Sequence, residues 1–265
     1  MFDPTVTDSV GRFDGLAGLY DRYRPDYPEA AVAYLLARCQ LQPGCQLVDV
    51  GCGTGISSRR FAALGLQVIG IEPNDEMRRQ AASIAVAGAA SAPQYRSGRA
   101  EATGLPSESA NAVLTAQAFH WFDLEPALQE FRRILKPGGW LALLWNERDR
   151  RDEFTKEFGE ILRRHSSSAW ADVAQSDYGE NLLHSSHYTD RERREFPHGQ
   201  ELDLDALFGR TFSISFSPRD IQQRERLSQA LRELFARFQI NGKATMKYQT
   251  ILYTGRKPLV DQASR

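Results

Sequence analysis

The sequence predicts an α/β protein built on a doubly wound, mostly parallel β-sheet with an antiparallel last strand. Short apolar runs alternate with helical segments through the first half of the chain, which is the pattern of a parallel sheet with right-handed crossovers. Residues 140–145 are apolar at every position, as expected of a central strand buried on both faces. A glycine-rich turn, residues 51–55, follows the first strand, and ligands of such sheets bind at the carboxyl ends of the strands.

The strands predicted for this core are short, and they cover residues 46–50, 68–72, 94–97, 110–115 and 140–145. The helices predicted around them cover residues 29–39, 56–64, 75–87 and 124–135. Residues 1–28 are predicted as a short helix followed by an extended segment, because Pro25 and Pro28 would interrupt a helix. The lysine, proline and glycines of residues 136–139 are predicted to end the last helix of this set.

The composition changes after residue 146, where charged residues become frequent. The elements predicted there are a largely helical stretch, a strand, a helix and the last strand, over residues 147–188, 194–202, 218–238 and 244–255. The pair Asn241-Gly242 indicates a turn before the last strand. The charge run over residues 190–195 is predicted to be a solvated surface.

The bulk properties exclude several classes of function. A net charge of −1 and a pI near 6.5 produce no field that would draw the chain to nucleic acid or to an acidic membrane. No apolar run approaches the ~18–20 residues that span a bilayer, and the N-terminus lacks the pattern of a secretory signal. Three cysteines without C-x-x-C spacing indicate reduced thiols. We therefore expect a cytoplasmic monomer or homodimer that acts on a small molecule, without nucleic-acid or membrane partners.

The turn after the first strand has the pattern D-x-G-x-G-x-G, from Asp49 to Gly55. Its glycines can adopt positive φ and leave no Cβ in the way of a ligand, and the next helix directs its free N–H groups at the turn. The following apolar run ends in Glu72. A glycine turn combined with an acid at the next strand end predicts a crevice for a ribose that carries a tail.

The spacing of the glycines discriminates between ligands. A dinucleotide fingerprint, G-x-G-x-x-G, would require its third glycine where this chain has Ile56. The turn has no P-loop lysine, and the carboxylate of Asp49 would repel phosphates but attract an ammonium group. A nicotinamide-dependent oxidoreductase is therefore the less favoured alternative.

The stretch over residues 47–55 resembles motif I of the class I methyltransferases that depend on S-adenosylmethionine (SAM). The G-x-A-E and L-P residues between Gly98 and Pro106 resemble the adenine loop of that family. The stretches AQAFHWF and LKPGG, at residues 116–122 and 135–139, are similar to the type 11 branch of small-molecule methyltransferases. The Y-x-x-x-R-P pattern that begins at Tyr20 is similar to the trans-aconitate methyltransferase-like members.

This resemblance implies a Rossmann-like class I methyltransferase architecture and a single SAM-dependent methyltransferase domain over residues 1–265. Its parts would be an N-terminal helical cap, a SAM-binding core, a helical substrate-side insertion and a last strand, over residues 1–40, 41–146, 147–240 and 244–257.

The resemblance also implies a set of cofactor contacts. Gly51 and Gly53 would face the methionine tail, and Asp49 would order its ammonium group. Glu72, with Pro73 beside it, would accept both ribose hydroxyls, because a carboxylate has two oxygens for a bidentate contact. Gln117 would lie beneath the sulfonium.

For the adenine contacts and for Arg24 and Tyr20, the sequence leaves alternatives open. Ala100 would offer its backbone to adenine, but Arg99 stands where the family often has Asp, so Glu101 or a water would have to replace that acceptor. Arg24 suits a carboxylate, either of the cofactor or of an acidic substrate, with a surface position as the alternative. Tyr20 is a candidate for an aromatic wall against the sulfonium, together with Tyr23, Phe119 and Trp121, although each of them can instead belong to the core.

The predicted reaction is transfer of the SAM methyl group to an oxygen, of a carboxylate or a hydroxyl, by in-line displacement. The enzyme must align the reactants and exclude water, and no metal is required. His120, which follows the fourth strand, is the candidate general base; a structural, hydrogen-bonded histidine is the alternative, and a carboxylate acceptor would need no base. A SAM-binding module without catalysis is a further alternative.

Overall fold

One mixed sheet of seven strands runs through the part of the chain that the computed structural model describes, residues 15–86, 91–165, 179–214, 217–218 and 220–259. The strands are β1 (Gln46–Val50), β2 (Gln67–Ile71), β3 (Gln94–Arg96), β4 (Ala110–Ala116), β5 (Leu135–Arg148), β6 (Thr189–Leu202) and β7 (Ala244–Arg256). Their order in the sheet is β3-β2-β1-β4-β5-β7-β6.

The strands from β3 to β5 are all parallel to their neighbours. Strand β7 is antiparallel to β5, because Gly138 N–H donates to the Lys257 carbonyl whereas Asp149 N–H donates to the Lys247 carbonyl. The residue numbers therefore rise along one strand as they fall along the other. The structure confirms the predicted fold class, a mostly parallel sheet with an antiparallel last strand.

Helices pack on both faces of the parallel strands: α2 (Glu29–Arg38) and α3 (Ile56–Ala62) on one face and α5 (Leu124–Ile134) on the other. The other helices of the described residues are α1 (Ala17–Tyr23), α4 (Asp75–Ser83), α6 (Glu153–His165), α7 (Glu180–His184), α8 (Leu204–Phe212) and α9 (Ile221–Phe238). Successive strand residues enter opposite hydrophobic clusters: Leu47 and Leu144 belong to one, and Val48 and Leu143 to the other. A sheet that is apolar on both faces in this way is doubly wound, which explains the continuous apolar strands of the sequence.

Two strands extend beyond their predicted bounds. Helix α5 ends at Ile134, before residues 136–139, as predicted, but strand β5 begins at Leu135, so the predicted start at residue 140 was wrong. These residues form an irregular, bulged part of the strand, in which Gly138 has a φ of +75° and bonds to Lys257 beyond the end of β7. Strand β6 begins at Thr189 instead of residue 194, and most of its charge run is exposed, as predicted.

The contacts divide the chain into two units, and the boundaries fall within β5, β6 and β7. The sheet unit consists of Asp26–Trp145, Asp177–Phe196 and Thr250–Arg265. The helical unit consists of Met1–Pro25, Asn146–Ser176 and Pro197–Gln249, and its own hydrophobic cluster joins α6, α8 and α9. The division into a cap, a core and an insertion of one domain stays a prediction. Among the described helices, none is both long and apolar enough to cross a membrane.

Candidate cofactor-binding site

The glycine turn joins the carboxyl ends of β1 and β2. The N–H groups of Gly51 and Cys52 donate to the carbonyl of Ile71, the last residue of β2, at 2.8 and 3.2 Å. Gly51 has a φ of +70°, and a Cβ there would lie 2.6 Å from the Cβ of Ala118. The backbone can therefore pass this close to the segment after β4 only if the residue is glycine.

Gly53 is different, because its missing side chain leaves open space. Its φ is +56°, and no heavy atom of the described residues lies within 4 Å of the position that its Cβ would occupy. Its N–H donates to Glu72 Oε2 at 2.9 Å. The turn therefore offers a concave backbone surface with an acid fixed at its rim, which suits a ligand that carries hydroxyl groups.

Glu72 follows β2 and is held by two backbone N–H donors. Oε2 accepts from Gly53, and Oε1 accepts from Asn74 at 2.9 Å. Burial raises the pKa of this carboxyl, while the bonds from Asn74 and Gly53 and the charge of Arg78 act in the opposite direction. Each carboxylate oxygen has two lone pairs, so each keeps one for a ligand hydroxyl. The ribose contact of Glu72 stays a prediction.

Asp49 lies under the turn and is completely buried. Its Oδ2 accepts from the hydroxyls of Ser57 and Ser58, at 2.7 and 2.6 Å, and so fixes the first turn of α3. Its Oδ1 is buried and accepts no hydrogen bond from the described residues. Burial raises the pKa of Asp49 to about 6, against the opposing effect of the serine hydrogen bonds. A carboxylate in this position favours a cationic ligand group once it is ionised.

The sequence did not identify the two serines as partners of Asp49. The sequence did contain a signal for this contact, because both serines lie in the first turn of the helix that follows the strand of Asp49. Tyr95 was missed as well: its ring packs on the turn, because a Cβ on Gly55 would lie 2.3 Å from the Tyr95 hydroxyl. Its place in β3 alone gave no sign of this contact.

The loop after β3 is a tight bridge between Arg99 and Ala102, whose backbone groups bond to each other. Ala100 in this loop is buried. Glu101 Oε1 accepts from the backbone N–H of Asp123, the N-cap of α5, at 2.9 Å, and Oε2 lies 3.6 Å from Arg99 Nε. Glu101 therefore anchors α5, and Arg99 is mostly exposed. An adenine contact of Glu101 stays a prediction.

Gln117 directly follows β4 and has a φ of +61°, which is uncommon for a residue with a side chain. Its N–H donates to the Leu144 carbonyl at 2.9 Å, so pairing with β5 maintains this conformation. Backbone strain of this kind is concentrated at functional sites. The strain lies at the same sheet edge as the glycine turn and Glu72, because these residues all follow the carboxyl ends of parallel strands.

His120 lies in a short 3₁₀ helix, Phe119–Trp121, and its ring centroid is 4.6 Å from that of Trp121. The side chain is half-buried, and burial lowers the pKa of its imidazole to about 4. At neutral pH His120 is therefore uncharged and a weak base. Phe119 is buried and packs against Phe122 and Trp145, so it belongs to the core and not to a ligand wall.

Tyr20 and Arg24 belong to the helical unit, where they contact each other. The Arg24 guanidinium lies 4.3 Å from the centroid of the Tyr20 ring, and its Nη2 donates to the Ser213 carbonyl at 3.2 Å. Tyr23 packs on α8, because a Cβ on Gly209 would lie within 2.3 Å of its ring. The roles of Tyr20 and Arg24 toward a cofactor stay predictions.

Comparison with known proteins matches the segment of the chain that contains this site. Residues 48–143, which contain the glycine turn, Glu72 and His120, match the family model of the type 11 methyltransferase domain. An uncharacterized methyltransferase of Mycobacterium tuberculosis is 40% identical over 154 residues, which are 57% of this chain and 59% of that relative. The alignment therefore covers less than two thirds of the relative's length.

Solved structures share the fold at low identity. A phosphoethanolamine N-methyltransferase of Haemonchus contortus, solved with S-adenosylhomocysteine, has a TM-score of 0.53 and 16% identity; the match covers 95% of this chain and 59% of that one. The cyclase SpnF has a TM-score of 0.56 and 19% identity, and the match covers 96% of each chain. Proteins of this fold therefore include a methyltransferase and a cyclase, so the fold alone does not fix the reaction.

The match and the fold together indicate the class of protein. Residues 48–143 match the type 11 methyltransferase domain, and the sheet that contains them has the class I methyltransferase architecture that the sequence predicted. The predicted cofactor, SAM, agrees with this class.

Proposed function

We propose that the chain transfers the methyl group of SAM to an oxygen of a small-molecule acid. The hydrogen bond from Gly53 to Glu72 carries this proposal, because it unites the turn and the acid into one preformed cradle. The open space at Gly53 and the free lone pairs of Glu72 fit the sugar and tail of a nucleoside ligand. The fit extends to the charge, since Asp49 and Glu72 favour a cationic tail.

When bound, SAM supplies an electrophilic methyl group on a sulfonium. Glu72 would hold the ribose hydroxyls, and the backbone at Gly51 and Gly53 would leave room for the amino-acid tail. Asp49 would stabilise the ammonium group by its charge. Gln117, held in its strained conformation by Leu144, would border the reacting groups.

The low pKa of His120 supports a carboxylate acceptor over a hydroxyl. General bases work best when their pKa lies near the working pH, and a base of pKa about 4 is poorly matched to an alcohol. A carboxylate is already ionised at neutral pH and needs no proton removed. His120 would then orient the acceptor, by accepting or donating one hydrogen bond as a neutral imidazole. The Y-x-x-x-R-P pattern at Tyr20, which resembles the trans-aconitate methyltransferase-like members, supports the same acceptor class.

Calorimetric titration with S-adenosylhomocysteine tests the cofactor part of the proposal. We expect micromolar binding by the wild type and no comparable binding of NADH. Tight binding of NADH and none of S-adenosylhomocysteine would instead support the nicotinamide-dependent alternative.

Turnover needs a separate experiment, because a SAM-binding module without catalysis would pass the first one. We propose incubation with tritium-methyl SAM and a fractionated cell extract, followed by mass spectrometry of the labelled product. Base-labile label in a small acid indicates a methyl ester. Binding of S-adenosylhomocysteine without labelled product in any fraction would favour the non-catalytic alternative. Light scattering on the same protein will decide between the expected monomer and homodimer.

A further inference from the structure

Tyr95 packs against the glycine turn at a place that two glycines make available. It lies opposite Gly70 in the parallel pairing of β3 with β2. A Cβ on Gly70 would lie 2.7 Å from Cδ1 of the tyrosine ring, and a Cβ on Gly55 would collide with the tyrosine hydroxyl. A side chain at either glycine would therefore displace Tyr95 from the turn.

The Tyr95 hydroxyl is shielded from solvent and has a serine beside it. Its oxygen is buried and forms no aligned hydrogen bond with the described residues. Burial raises the pKa of Tyr95, and the Ser58 side chain, which is within hydrogen-bonding reach, acts in the opposite direction. A buried hydroxyl is costly without a bond, so Ser58 is the expected partner.

Ser58 can only accept from Tyr95, because its own proton is already used. Ser58 Oγ donates to Asp49 Oδ2 at 2.6 Å. A hydroxyl has one proton and two lone pairs, so Ser58 keeps a lone pair for the phenol. Ser57 donates to the same carboxylate oxygen at 2.7 Å, whereas the hydrogen-bond contribution at Tyr95 comes from Ser58. The chain of donors therefore runs from Tyr95 through Ser58 to Asp49.

This chain becomes stronger when Asp49 is ionised. Hydrogen bonds to a carboxylate are stronger than those to a neutral acid, and a hydroxyl that donates to an anion is itself a better acceptor. The bond from Tyr95 to Ser58 should therefore form when Asp49 carries its charge, and it favours the charged form in return. All three residues belong to the sheet unit, within Asp26–Trp145.

We propose that Tyr95 is a positioning residue for the cationic tail of the cofactor, because its hydroxyl donates to Ser58 and Ser58 holds Asp49 charged next to the glycine turn. The inference rests on the proposed function, which assigns Asp49 to the ammonium group of SAM. The two serines occupy Oδ2 of Asp49, and Oδ1 accepts no bond from the described residues. Tyr95 thus acts through Asp49 and not by touching the cofactor.

Other groups near Asp49 also influence its charge. Besides burial, the charge of Asp49 raises the pKa of Cys52 in the turn and of Glu72 after β2. The cation of Arg59 on α3 acts on Tyr95. Replacing Tyr95 by phenylalanine alters none of these charges, since a phenol is neutral at physiological pH. A change in the titration of Asp49 in that variant would therefore report the hydrogen bond.

Carbon-13 NMR of ligand-free protein labelled at the aspartate carboxyls tests the inference. The signal of Asp49 is the one that Asp49→Asn removes. Tyr95→Phe should raise the pH midpoint of this signal by about half a pH unit, because the donor chain to the carboxylate is shortened. Tyr188→Phe is the matched control, since it removes a buried hydroxyl of the sheet unit that donates to the Leu128 carbonyl. The control should leave the midpoint unchanged, and an unchanged midpoint in Tyr95→Phe would overturn the inference.

Double variants identify the route of the effect. In a Ser58→Ala background, Tyr95→Phe should no longer move the midpoint of Asp49, because the intermediate hydroxyl is gone. In a Ser57→Ala background the same substitution should still raise it by about half a pH unit. Equal shifts in the two backgrounds would show that Tyr95 does not act through Ser58 and would overturn the inference.

Calorimetric titration with S-adenosylhomocysteine connects the chain to the cofactor. Tyr95→Phe should bind about threefold more weakly than the wild type at pH 5 and equally at pH 8, where Asp49 is ionised in both. An equal loss at both pH values, together with a lower melting temperature, would assign Tyr95 a structural role and overturn the inference. Absence of binding by the wild type would instead refute the proposed function, and the assignment of the tail with it, whatever the NMR titration shows.

Discussion

The glycine turn holds buried acids, whereas an arginine cluster in the helical unit, Arg24, Arg148 and Arg210, holds buried and half-buried cations. In the turn, Glu72 and Asp49 are fixed by N–H and hydroxyl donors within a few residues of them in the fold. In the cluster, Arg210 keeps a buried donor that bonds to no described residue. In the turn, Oδ1 of Asp49 is likewise buried without a hydrogen bond from the described residues. The two regions therefore differ in the sign of the buried charge and in how it is held: the acids are fixed by hydrogen bonds from residues close to them in the sequence or at the neighbouring strand end, whereas the arginines come together from distant parts of the sequence.

The largest expected effect concerns Glu72. Glu72→Gln keeps the size of the side chain but leaves one acceptor oxygen instead of two, so one ribose hydroxyl loses its charged partner and the bond from Gly53 or Asn74 is lost as well. We expect affinity for S-adenosylhomocysteine to fall about 100-fold, or roughly 2.7 kcal/mol, measured by calorimetry. Glu29→Gln, at an exposed position of α2, should bind normally. Equal affinities of the two variants would remove Glu72 from the cofactor site.

The two glycines of the turn should separate stability from binding. Gly51→Ala places a methyl group 2.6 Å from Ala118 and forces alanine to positive φ, so we expect the free energy of unfolding to fall by about 3 kcal/mol in urea denaturation. In Gly53→Ala the new methyl group enters open space, so the free energy of unfolding should fall by only about 1 kcal/mol, which is the cost of placing alanine at positive φ. Its methyl group would occupy the ligand's space, so affinity should fall about tenfold despite the milder loss of stability.

A reversed ranking of the two glycine variants in stability would contradict this picture. It would mean that the segment after β4 moves away from Gly51 at little cost, and that the space at Gly53 is filled by the protein itself.

The local character of the turn explains why the sequence predicted it so well. The bounds of β1 were predicted correctly at residues 46 and 50, because the apolar run, the acid and the glycines are consecutive. The bulged start of β5 was not predicted, since its pairing with Lys257 joins residues more than 100 positions apart. The arginine cluster was missed for the same reason. Arg148 and Arg210 meet through Tyr248, and no local spacing relates these three positions, so only Arg24 was recognised as a carboxylate partner.

The pH dependence of ligand binding should report the ionisation of Asp49. The folded pKa of about 6 lies above the ordinary value, so the carboxyl is mostly protonated at pH 5 and ionised at pH 7.5. A ligand with an ammonium tail binds the ionised form better, so affinity for S-adenosylhomocysteine should rise up to about tenfold over this range. Asp49→Asn should show a flat profile in the same calorimetric series. A wild-type profile as flat as that of the variant would exclude an ammonium partner for Asp49.

The stability of the ligand-free protein should change in the opposite direction. Because the folded state holds the Asp49 proton more tightly than the unfolded chain, its contribution is present below pH 4 and is lost as the pH rises through 6. The loss is about 3 kcal/mol, and it should be absent in Asp49→Asn when urea denaturation is compared at pH 4 and pH 8.

The smallest expected effect is that of His120, the residue that the sequence singled out for chemistry. With a pKa near 4, His120 is already deprotonated above pH 5.5, so kcat/KM should be independent of pH from there to pH 8 as far as this group is concerned. His120→Asn retains a hydrogen-bonding side chain of similar length to the imidazole Nδ1, so kcat on an acid substrate should fall less than tenfold. A general base for a hydroxyl acceptor would instead contribute 10²- to 10⁴-fold and would impose its own pKa on the rate. If steady-state assays of His120→Asn show a loss of that size, the acceptor is a hydroxyl and not a carboxylate. The proposed cofactor contacts at Gly53 and Glu72 would be unaffected by this result.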